Sequence, residues 1–343
     1  MTTLHLATGD GPIILTPRGD TWQGRRPLDV LSASCVACDP ARPERVFCTT
    51  VRDGAWRSDD AGATWQRVFD GAGYARLTSV AVSGVQHAGG VGVVYLGTEP
   101  SAILRSEDAG VSWSQCSELT DLPSSNTWSF PPRPETHHVR WITPDPHETG
   151  RVHAAIEAGA MLLSPDGGAT WRDRVPGGPR DTHQLVTHPG LPDRLWSSAG
   201  DGFFESFDGG ASWQHAERGL EHRYCWSVAI DPHEANGLPT IVISAAAGPR
   251  QAHDKDQAEG HLYRRSGGNA PWEEVTAGLP DPRGTRTWAL AADPAQAGVF
   301  YAGSDGAMFR STDAGASWQQ MSIDWPDGYT GKRIHVVTAA AAQ

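Results

Sequence analysis

The sequence predicts an all-β fold, a seven-bladed β-propeller built from four-stranded blades. Two observations lead to this prediction. A short segment of the form S-x-D-x-G-x-[ST]-W recurs along the chain with the period of a four-stranded blade. The composition, with 39 Gly and 25 Pro residues and with 14 Trp residues against only 4 Met, is typical of short strands joined by tight turns.

Five copies of the segment are complete and two are eroded. The complete copies span residues 58–65, 106–113, 164–171, 206–213 and 311–318. The eroded copies span 16–22 and 266–272, and the second of these has lost its Asp. The Trp residues that end successive copies are 42 to 59 residues apart, so each repeat is long enough for one blade and seven blades are expected.

The residue types of the segment suit a turn that leads into a strand. The Asp carboxylate can accept N–H hydrogen bonds from its own turn, and the Gly supplies a positive φ. The Trp can bury a large area between strands. The segment is therefore predicted to stabilise the fold rather than to carry out chemistry.

The segment resembles the Asp-box, also called the BNR repeat, of sialidase-like and related glycosyl-hydrolase-like propellers. The five complete and two eroded copies extend this resemblance over nearly the whole chain. The resemblance implies that the boxes lie on outer hairpins, away from the active site. By analogy with other propellers, the ligand site is expected at one mouth of the central channel.

The order of strands predicts how the ring closes. The last complete repeat is interpreted as strands at 287–294, 299–303, 307–311 and 317–320. The chain begins in mid-repeat, because residues 4–8 and 13–16 look like second and third strands. Residues 333–338 can supply the missing first strand, which would remove free sheet edges. We therefore expect residues 1–343 to form a single propeller closed by pairing of the C-terminal strand with the N-terminal strands.

Charge and composition exclude several classes of partner. Lys and Arg number 28 against 40 Asp and Glu, a net charge of −12, which argues against nucleic acid and against an anionic membrane surface. No run approaches the roughly 18 apolar residues of a membrane helix. The first 30 residues show no secretory signal, and five cysteines without framework spacing suit a reducing compartment. A cytoplasmic location is expected.

The inner strands predict a polar ligand pocket. They can be aligned on Asp-Pro pairs at Asp39, Asp145, Asp231 and Asp293, with His188 as a variant. Five and seven residues before these positions stand charged or aromatic residues that share one face of each strand. The candidate ligand-binding residues are His137, Arg140, Asp181, His183, Arg223, Trp226, Arg286 and Trp288. Such a ring suits a small molecule or a glycan, although the residues could instead pair with one another as a solvated rim.

Two glutamates stand out among the loops between second and third strands. Glu99 and Glu157 each precede a box Ser by seven residues, in adjacent blades. Paired carboxylates can act as acid and as nucleophile or base, so both residues, with His138, are candidate catalytic residues. Ordinary loop positions are the alternative for both. Long insertions at 117–137 and 248–260 are expected to form lids or binding elements on the same side.

A metal site is a further hypothesis. His137, His138, His183 and His335, together with Glu99 or Glu157, could supply imidazole and carboxylate ligands, and His138 and His183 are the predicted pair. No local zinc-type spacing exists, so such a site would have to be assembled across blades. No motif specifies a cofactor, and the cofactor stays unknown.

Three functions remain open from the sequence. The first is a glycoside-hydrolase-like enzyme, which the resemblance and the predicted pocket favour. It is not expected to be a true sialidase, because the [FY]-R-[ILV]-P motif of sialidases is missing from the sequence. The second is a non-catalytic propeller that binds or assembles a protein partner, as those resembling photosystem assembly factors do. The third is a metal-dependent lyase or oxygenase with a histidine-lined site.

Overall fold

The computed structural model describes residues 2–234, 238–268 and 270–341. Its strands form seven sheets. The inner strand of each sheet contacts the inner strand of the next, and the last contacts the first, so the sheets stand as blades around a ring. The predicted all-β, seven-bladed propeller is confirmed.

The blades are numbered here from the first complete one along the chain. Blade 1 contains β1 (Ala33–Asp39), β2 (Arg42–Thr50), β3 (Ala55–Ser58) and β4 (Gln66–Phe69); blade 2 contains β5 (Arg76–Ala88), β6 (Val91–Glu99), β7 (Ile103–Ser106) and β8 (Ser114–Gln115). Blade 3 contains β9 (Val139–Pro144), β10 (Val152–Ile156) and β11 (Ala160–Ser164), with a single bridge from Leu163 to Arg172 in place of a longer fourth strand.

The next three blades follow the same order. Blade 4 contains β12 (Thr182–His188), β13 (Leu191–Ala199), β14 (Gly202–Ser206) and β15 (Gln214–His215); blade 5 contains β16 (Tyr224–Ile230), β17 (Ile241–Ala246), β18 (His261–Arg265) and β19 (Glu273–Val275). Blade 6 contains β20 (Ala289–Ala292), β21 (Phe300–Gly303), β22 (Met308–Ser311) and β23 (Gln319–Gln320). One short helix, α1 (Pro249–His253), and two 3₁₀ turns, Leu119–Asp121 and Ser125–Thr127, lie in the insertions.

Blade 7 joins the two ends of the described chain. Its strands are β24 (Thr2–Thr8), β25 (Gly11–Arg18), β26 (Thr21–Arg25), β27 (Ile323–Asp324) and the inner strand β28 (Ile334–Ala341). β28 pairs antiparallel with β24, in a register that includes Thr2 with Ala341 and Leu6 with Val337. The predicted closure of the ring by the C-terminal strand is confirmed.

The five complete S-x-D-x-G-x-[ST]-W segments form the same turn. In the first, Asp60 accepts hydrogen bonds from the backbone N–H of Thr64 at 2.8 Å and from its hydroxyl at 2.7 Å. The Ser58 hydroxyl donates to Asp60 at 2.7 Å and accepts the N–H of Gly62, whose φ is +82°. Asp108, Asp166, Asp208 and Asp313 repeat these contacts. Asn269 of the eroded copy at 266–272 lies outside the described residues.

Six inner strands carry a β-bulge just after they begin. In each, one residue is left without a partner in the ladder to the second strand. These residues are Ser34, Thr78, Arg140, His183, Trp226 and His335. A bulge bends the strand and redirects the side chain of the extra residue. The bulges thus repeat at one end of the ring, and apolar side chains pack between the blades below them.

Across the described residues, no helix has the length and apolar character needed to span a membrane.

Candidate functional site

A cavity of about 660 Å³ opens at the end of the ring where the inner strands begin. Its wall contains five of the six bulge residues (all but His183), loops after second strands, and parts of both insertions. The charged and aromatic side chains in its lining are Arg76, Glu99, Phe130, Arg133, His138, Arg140, Glu157, Asp181, Tyr224, Trp226, His253, Arg333 and His335. Acidic, basic and aromatic groups from several blades therefore meet in one cavity.

Glu157 follows β10 and is the most enclosed carboxylate of this cavity after Glu99, with its side chain 11% exposed. Its Oε2 lies 2.7 Å from His138 Nε2 and 3.6 Å from Arg140 Nε. Burial alone would raise the pKa of Glu157. The hydrogen bond and charge of His138, with the neighbouring cations, outweigh burial and lower that pKa to about 2. Glu157 is therefore an ionised carboxylate on the cavity wall.

Asp181 precedes β12 and lies beside Glu157. Its Oδ1 accepts the backbone N–H of Ala158 at 2.8 Å, and its Oδ2 lies 3.8 Å from His183 Nε2. Burial raises the pKa of Asp181, and the negative charge of Glu157 adds to this, although His183 opposes it. Two adjacent carboxyl groups thus have pKa values shifted in opposite directions.

A chain of hydrogen bonds runs behind these carboxyl groups. Arg333 Nη1 donates to His253 Nδ1 at 2.9 Å, so His253 Nε2 carries the proton and can donate to the Tyr224 hydroxyl at 3.0 Å. His183 Nδ1 lies 2.7 Å from the carbonyl oxygen of Cys225 and donates to it, which leaves His183 Nε2 to accept from Tyr224 at 3.2 Å. The Arg333 donor at one end and the Cys225 carbonyl acceptor at the other thus orient this chain of hydrogen bonds.

Burial and neighbouring charges shift the pKa values of three groups in this chain. Burial, and then the charge of Arg333, lowers the pKa of His253 to about 3. Burial raises the pKa of Tyr224, as do the negative charges of Glu157 and Asp181. Burial also lowers the pKa of Arg333 to about 10, and the nearby guanidinium groups add to that effect. Burial, and then the charges of the same arginines, lowers the pKa of His335 to about 3.

Trp226 is the central aromatic ring of the site. The guanidinium carbons of Arg140 and Arg333 lie 4.7 and 5.0 Å from its ring centre, within the range of cation–π attraction. The rings of His183 and His253 pack against it at centroid distances of 4.7 and 4.5 Å. Two guanidinium groups and two imidazole rings from different parts of the chain therefore pack on this one indole.

Glu99 lines the cavity but is already occupied by arginines. Arg133 donates to both of its carboxylate oxygens, at 2.8 and 2.7 Å, and Arg76 lies 3.7 Å away. Burial opposes ionisation, but the Arg133 hydrogen bonds and charge lower the pKa of Glu99. This pair ties the 117–137 insertion to the end of β6. Glu99 and Glu157 both face the cavity, but among the described residues only Glu157 has a second carboxyl group beside it.

Five predicted ligand-binding residues lie outside the cavity lining. His183 is fully buried behind the lining and packs against Tyr224 and Trp226. His137 packs edge-on against Trp128 and accepts a long hydrogen bond from the Ser101 N–H at 3.4 Å. Arg223 is mostly exposed and lies 3.6 Å from Glu217, beside a neighbouring groove. Arg286 forms a bidentate ion pair with Asp305. Trp288 is 2% exposed and packs against Phe309 in the core.

Three of the functional side chains were not among the candidate residues: His253, Arg333 and Arg133. His253 and Arg133 come from the two long insertions, which were expected near the site without a particular residue being assigned. Arg333 immediately precedes β28 and His335 is its bulge residue, just as His138 precedes β9 and Arg140 is the bulge residue there. The Asp-Pro alignment missed them because no Asp-Pro pair ends the C-terminal strand. In four inner strands, two charged or aromatic residues that are two positions apart stand at or near the start. Applying that pattern to the C-terminal strand would have found Arg333 and His335.

The ligand atoms of possible metal-binding residues converge at one place in the described part of the chain. Glu157, Asp181 and His183 each offer one atom within 4.8 Å of the other two. Of the predicted metal pair, His183 belongs to this group. His138 instead contacts the other oxygen of Glu157.

The chain is distantly similar to several known proteins. No family model matches the chain. It is 24% identical over 284 residues to the xyloglucanase Xgh74A of Acetivibrio thermocellus, an alignment that covers 70% of this chain and 32% of that protein. The chain therefore spans about a third of the length of this curated relative.

Solved structures share the fold. The GH74 enzyme of Niastella koreensis superposes with a TM-score of 0.63 at 16% identity, over 84% of this chain and 45% of that one. A structure described as YCF48 bound to D1 peptide superposes with a TM-score of 0.59 at 17% identity, over 91% of this chain and 93% of that one. At these identities the likeness shows the propeller fold alone.

Proposed function

We propose that residues 1–343 form a single propeller unit that processes glycans as a glycoside-hydrolase-like enzyme, with its reacting centre at Glu157 and Asp181. One observation carries the proposal: two carboxyl groups lie side by side on the wall of a cavity of about 660 Å³. Enzymes that break glycosidic bonds depend on a pair of carboxyl groups facing the substrate. Glu157 and Asp181 are the pair that this cavity offers.

The rest of the cavity suits a sugar ring. Phe130 and Trp226 contribute aromatic surface, and Arg76 and Arg140 contribute hydrogen-bond donors. A lining that combines apolar rings with a few convergent polar groups is typical of small-molecule sites. The xyloglucanase name of the curated relative supports a glycan as the substrate class. The Asp-box, sialidase-like assignment belongs to the same proposal, without sialidase activity.

The test is a hydrolysis assay on a panel of neutral and acidic oligosaccharides that includes xyloglucan fragments. We expect turnover in the wild type and a loss of at least about 100-fold in Glu157→Gln and in Asp181→Asn. Glu107→Gln is the matched control, because that carboxylate lies in an outer box turn and pairs with Arg105. Unchanged turnover in Glu157→Gln, or no cleavage of any member of the panel, would count against the proposal.

A second candidate function is the binding of a peptide without catalysis. The observation that favours it is the match in length to a propeller whose structure is described as bound to a peptide. The wall formed by Phe130, Pro131, Pro132 and Arg133 would then contact the peptide. Screening a peptide array separates the two functions: Phe130→Ala should lose a peptide ligand, whereas Glu157→Gln should retain it.

A further inference from the structure

We propose that Glu157, Asp181 and His183 bind a divalent transition-metal cation of the Mn²⁺ to Zn²⁺ class on the cavity wall. The inference rests on the proposed function for the location of the reacting centre, and it deepens that function by making both carboxyl groups metal ligands. His183 Nε2 lies 3.7 Å from Glu157 Oε1 and 3.8 Å from Asp181 Oδ2. Each residue has one potential ligand atom within 4.8 Å of the other two.

The imidazole is oriented as a metal ligand. His183 is fully buried, and its Nδ1–H donates to the Cys225 carbonyl oxygen at 2.7 Å. This bond leaves the lone pair on Nε2, which accepts the long hydrogen bond from Tyr224 and has the two carboxylate oxygens 3.7 and 3.8 Å away. A backbone carbonyl that accepts from the far nitrogen is the usual support for a metal-ligating histidine. The orientation of His183 is thus set before any cation arrives.

The carboxylate oxygens nearest the imidazole are free to bind a cation. Glu157 Oε2 is held by His138 at 2.7 Å, and Asp181 Oδ1 accepts the N–H of Ala158 at 2.8 Å. Glu157 Oε1 and Asp181 Oδ2 accept no hydrogen bond from the described part of the chain. This is so even though Glu157 is a buried residue, with only 9% of its surface exposed. These two oxygens and His183 Nε2 are three acceptor atoms that lie close together, and the long hydrogen bond from Tyr224 to Nε2 is the one that a cation would replace.

The spacing of the three atoms is close to that of a coordination site. Ligand bonds of about 2.0 to 2.2 Å in a tetrahedral site place the ligand atoms about 3.3 to 3.6 Å apart. The two distances from Nε2, 3.7 and 3.8 Å, need a small contraction, and the two carboxylate oxygens, which lie within 4.8 Å of each other, must also move closer together. The Tyr224 hydroxyl, now 3.2 Å from Nε2, would have to release that long hydrogen bond. One imidazole with two carboxylates suits Mn²⁺ or Zn²⁺ better than Mg²⁺.

Metal binding can be measured without any glycan. The full chain is stripped with EDTA, dialysed, and titrated calorimetrically with ZnCl₂, with MnCl₂, and with MgCl₂ for comparison. We expect one equivalent of Zn²⁺ or Mn²⁺ to bind the wild type. His183→Gln and Asp181→Asn should weaken binding at least about 100-fold, since each removes a direct ligand. His87→Gln, which alters an exposed imidazole, should bind like the wild type.

Circular dichroism and melting of the stripped proteins verify that the variants are folded. Absence of stoichiometric binding in the wild type overturns the metal site, and so does equal binding in His183→Gln. Hydrolysis assays with and without EDTA separate this inference from the proposed function. Glycan cleavage that persists in EDTA and in His183→Gln overturns the metal site alone. Stoichiometric binding without cleavage supports the metal site and counts against the glycan-processing function.

Discussion

His5 makes the closing blade sensitive to acid. It lies in β24, is 1% exposed, and neither of its ring nitrogens has a hydrogen-bond partner among the described residues. Burial, with a smaller effect from the charge of Arg25, lowers its pKa from 6.5 to about 4. The unfolded chain therefore binds a proton at His5 at a higher pH than the folded chain does. As the pH falls below 6.5, protonation favours the unfolded state.

The size of this effect follows from the shift. A difference of about 2.5 pKa units corresponds to about 3 kcal/mol of unfolding free energy. This stability is present above pH 6.5 and is lost as the pH falls towards 4. At pH 4.5 the loss is about 2.5 kcal/mol relative to pH 7. His5→Leu removes the titrating group and should not show this part of the acid response.

Urea unfolding followed by Trp fluorescence at pH 7 and pH 4.5 measures the effect. The wild type should lose about 2.5 kcal/mol more than His5→Leu between the two pH values. Other buried histidines titrate in both proteins, so their contributions cancel in the difference. His87→Gln, an exposed substitution, should behave like the wild type. An equal acid loss in the wild type and His5→Leu, within about 0.5 kcal/mol, would refute the reasoning.

Three further predictions concern the insertion, the aromatic centre and the box turns. Arg133→Met should release the 117–137 insertion and speed its proteolytic cleavage, and Glu99→Gln should do the same. The double variant should be cleaved little faster than either single variant, because all three remove the same ion pair. Trp226→Leu should weaken binding of any cavity ligand more than about tenfold in calorimetric titration, since two guanidinium and two imidazole groups pack on that ring. Asp60→Ala should destabilise the fold by about 1 to 3 kcal/mol in urea unfolding, because it removes the acceptor of three hydrogen bonds; an unchanged midpoint would contradict this.

Most of the fold could be predicted because the contacts that define its turns are made by residues close together in the sequence and are repeated along the chain. Each box turn satisfies its own hydrogen bonds within eight residues, as the contacts of Ser58, Asp60 and Thr64 show. Turn chemistry of this kind depends on neighbouring residues, so a sequence pattern reports it directly. The closure of the ring was also predictable, because a chain that begins in mid-repeat needs its missing strand from the other end.

The positions of the site residues along the inner strands could be predicted from the sequence. The residues that their side chains contact could not. Counting back from Asp-Pro pairs found Arg140, His183 and Trp226, which the structure shows at the bulges of their inner strands. The same count also selected Trp288, which is buried in the core of blade 6. Spacing along a strand cannot show whether a side chain meets a cavity or a neighbouring sheet.

The sequence by itself determined seven repeats, their turns, the closure between the chain ends, and the ring of inner-strand positions from which a site could be built. Only the tertiary structure decided which carboxyl group stands beside Glu157. It pairs Glu99 with Arg133 from an insertion 34 residues away, and it brings Asp181 to Glu157 from the next blade. The reason is physical: a turn is made by adjacent residues, whereas the protonation and contacts of a buried group depend on charges that distant parts of the chain bring within a few ångströms.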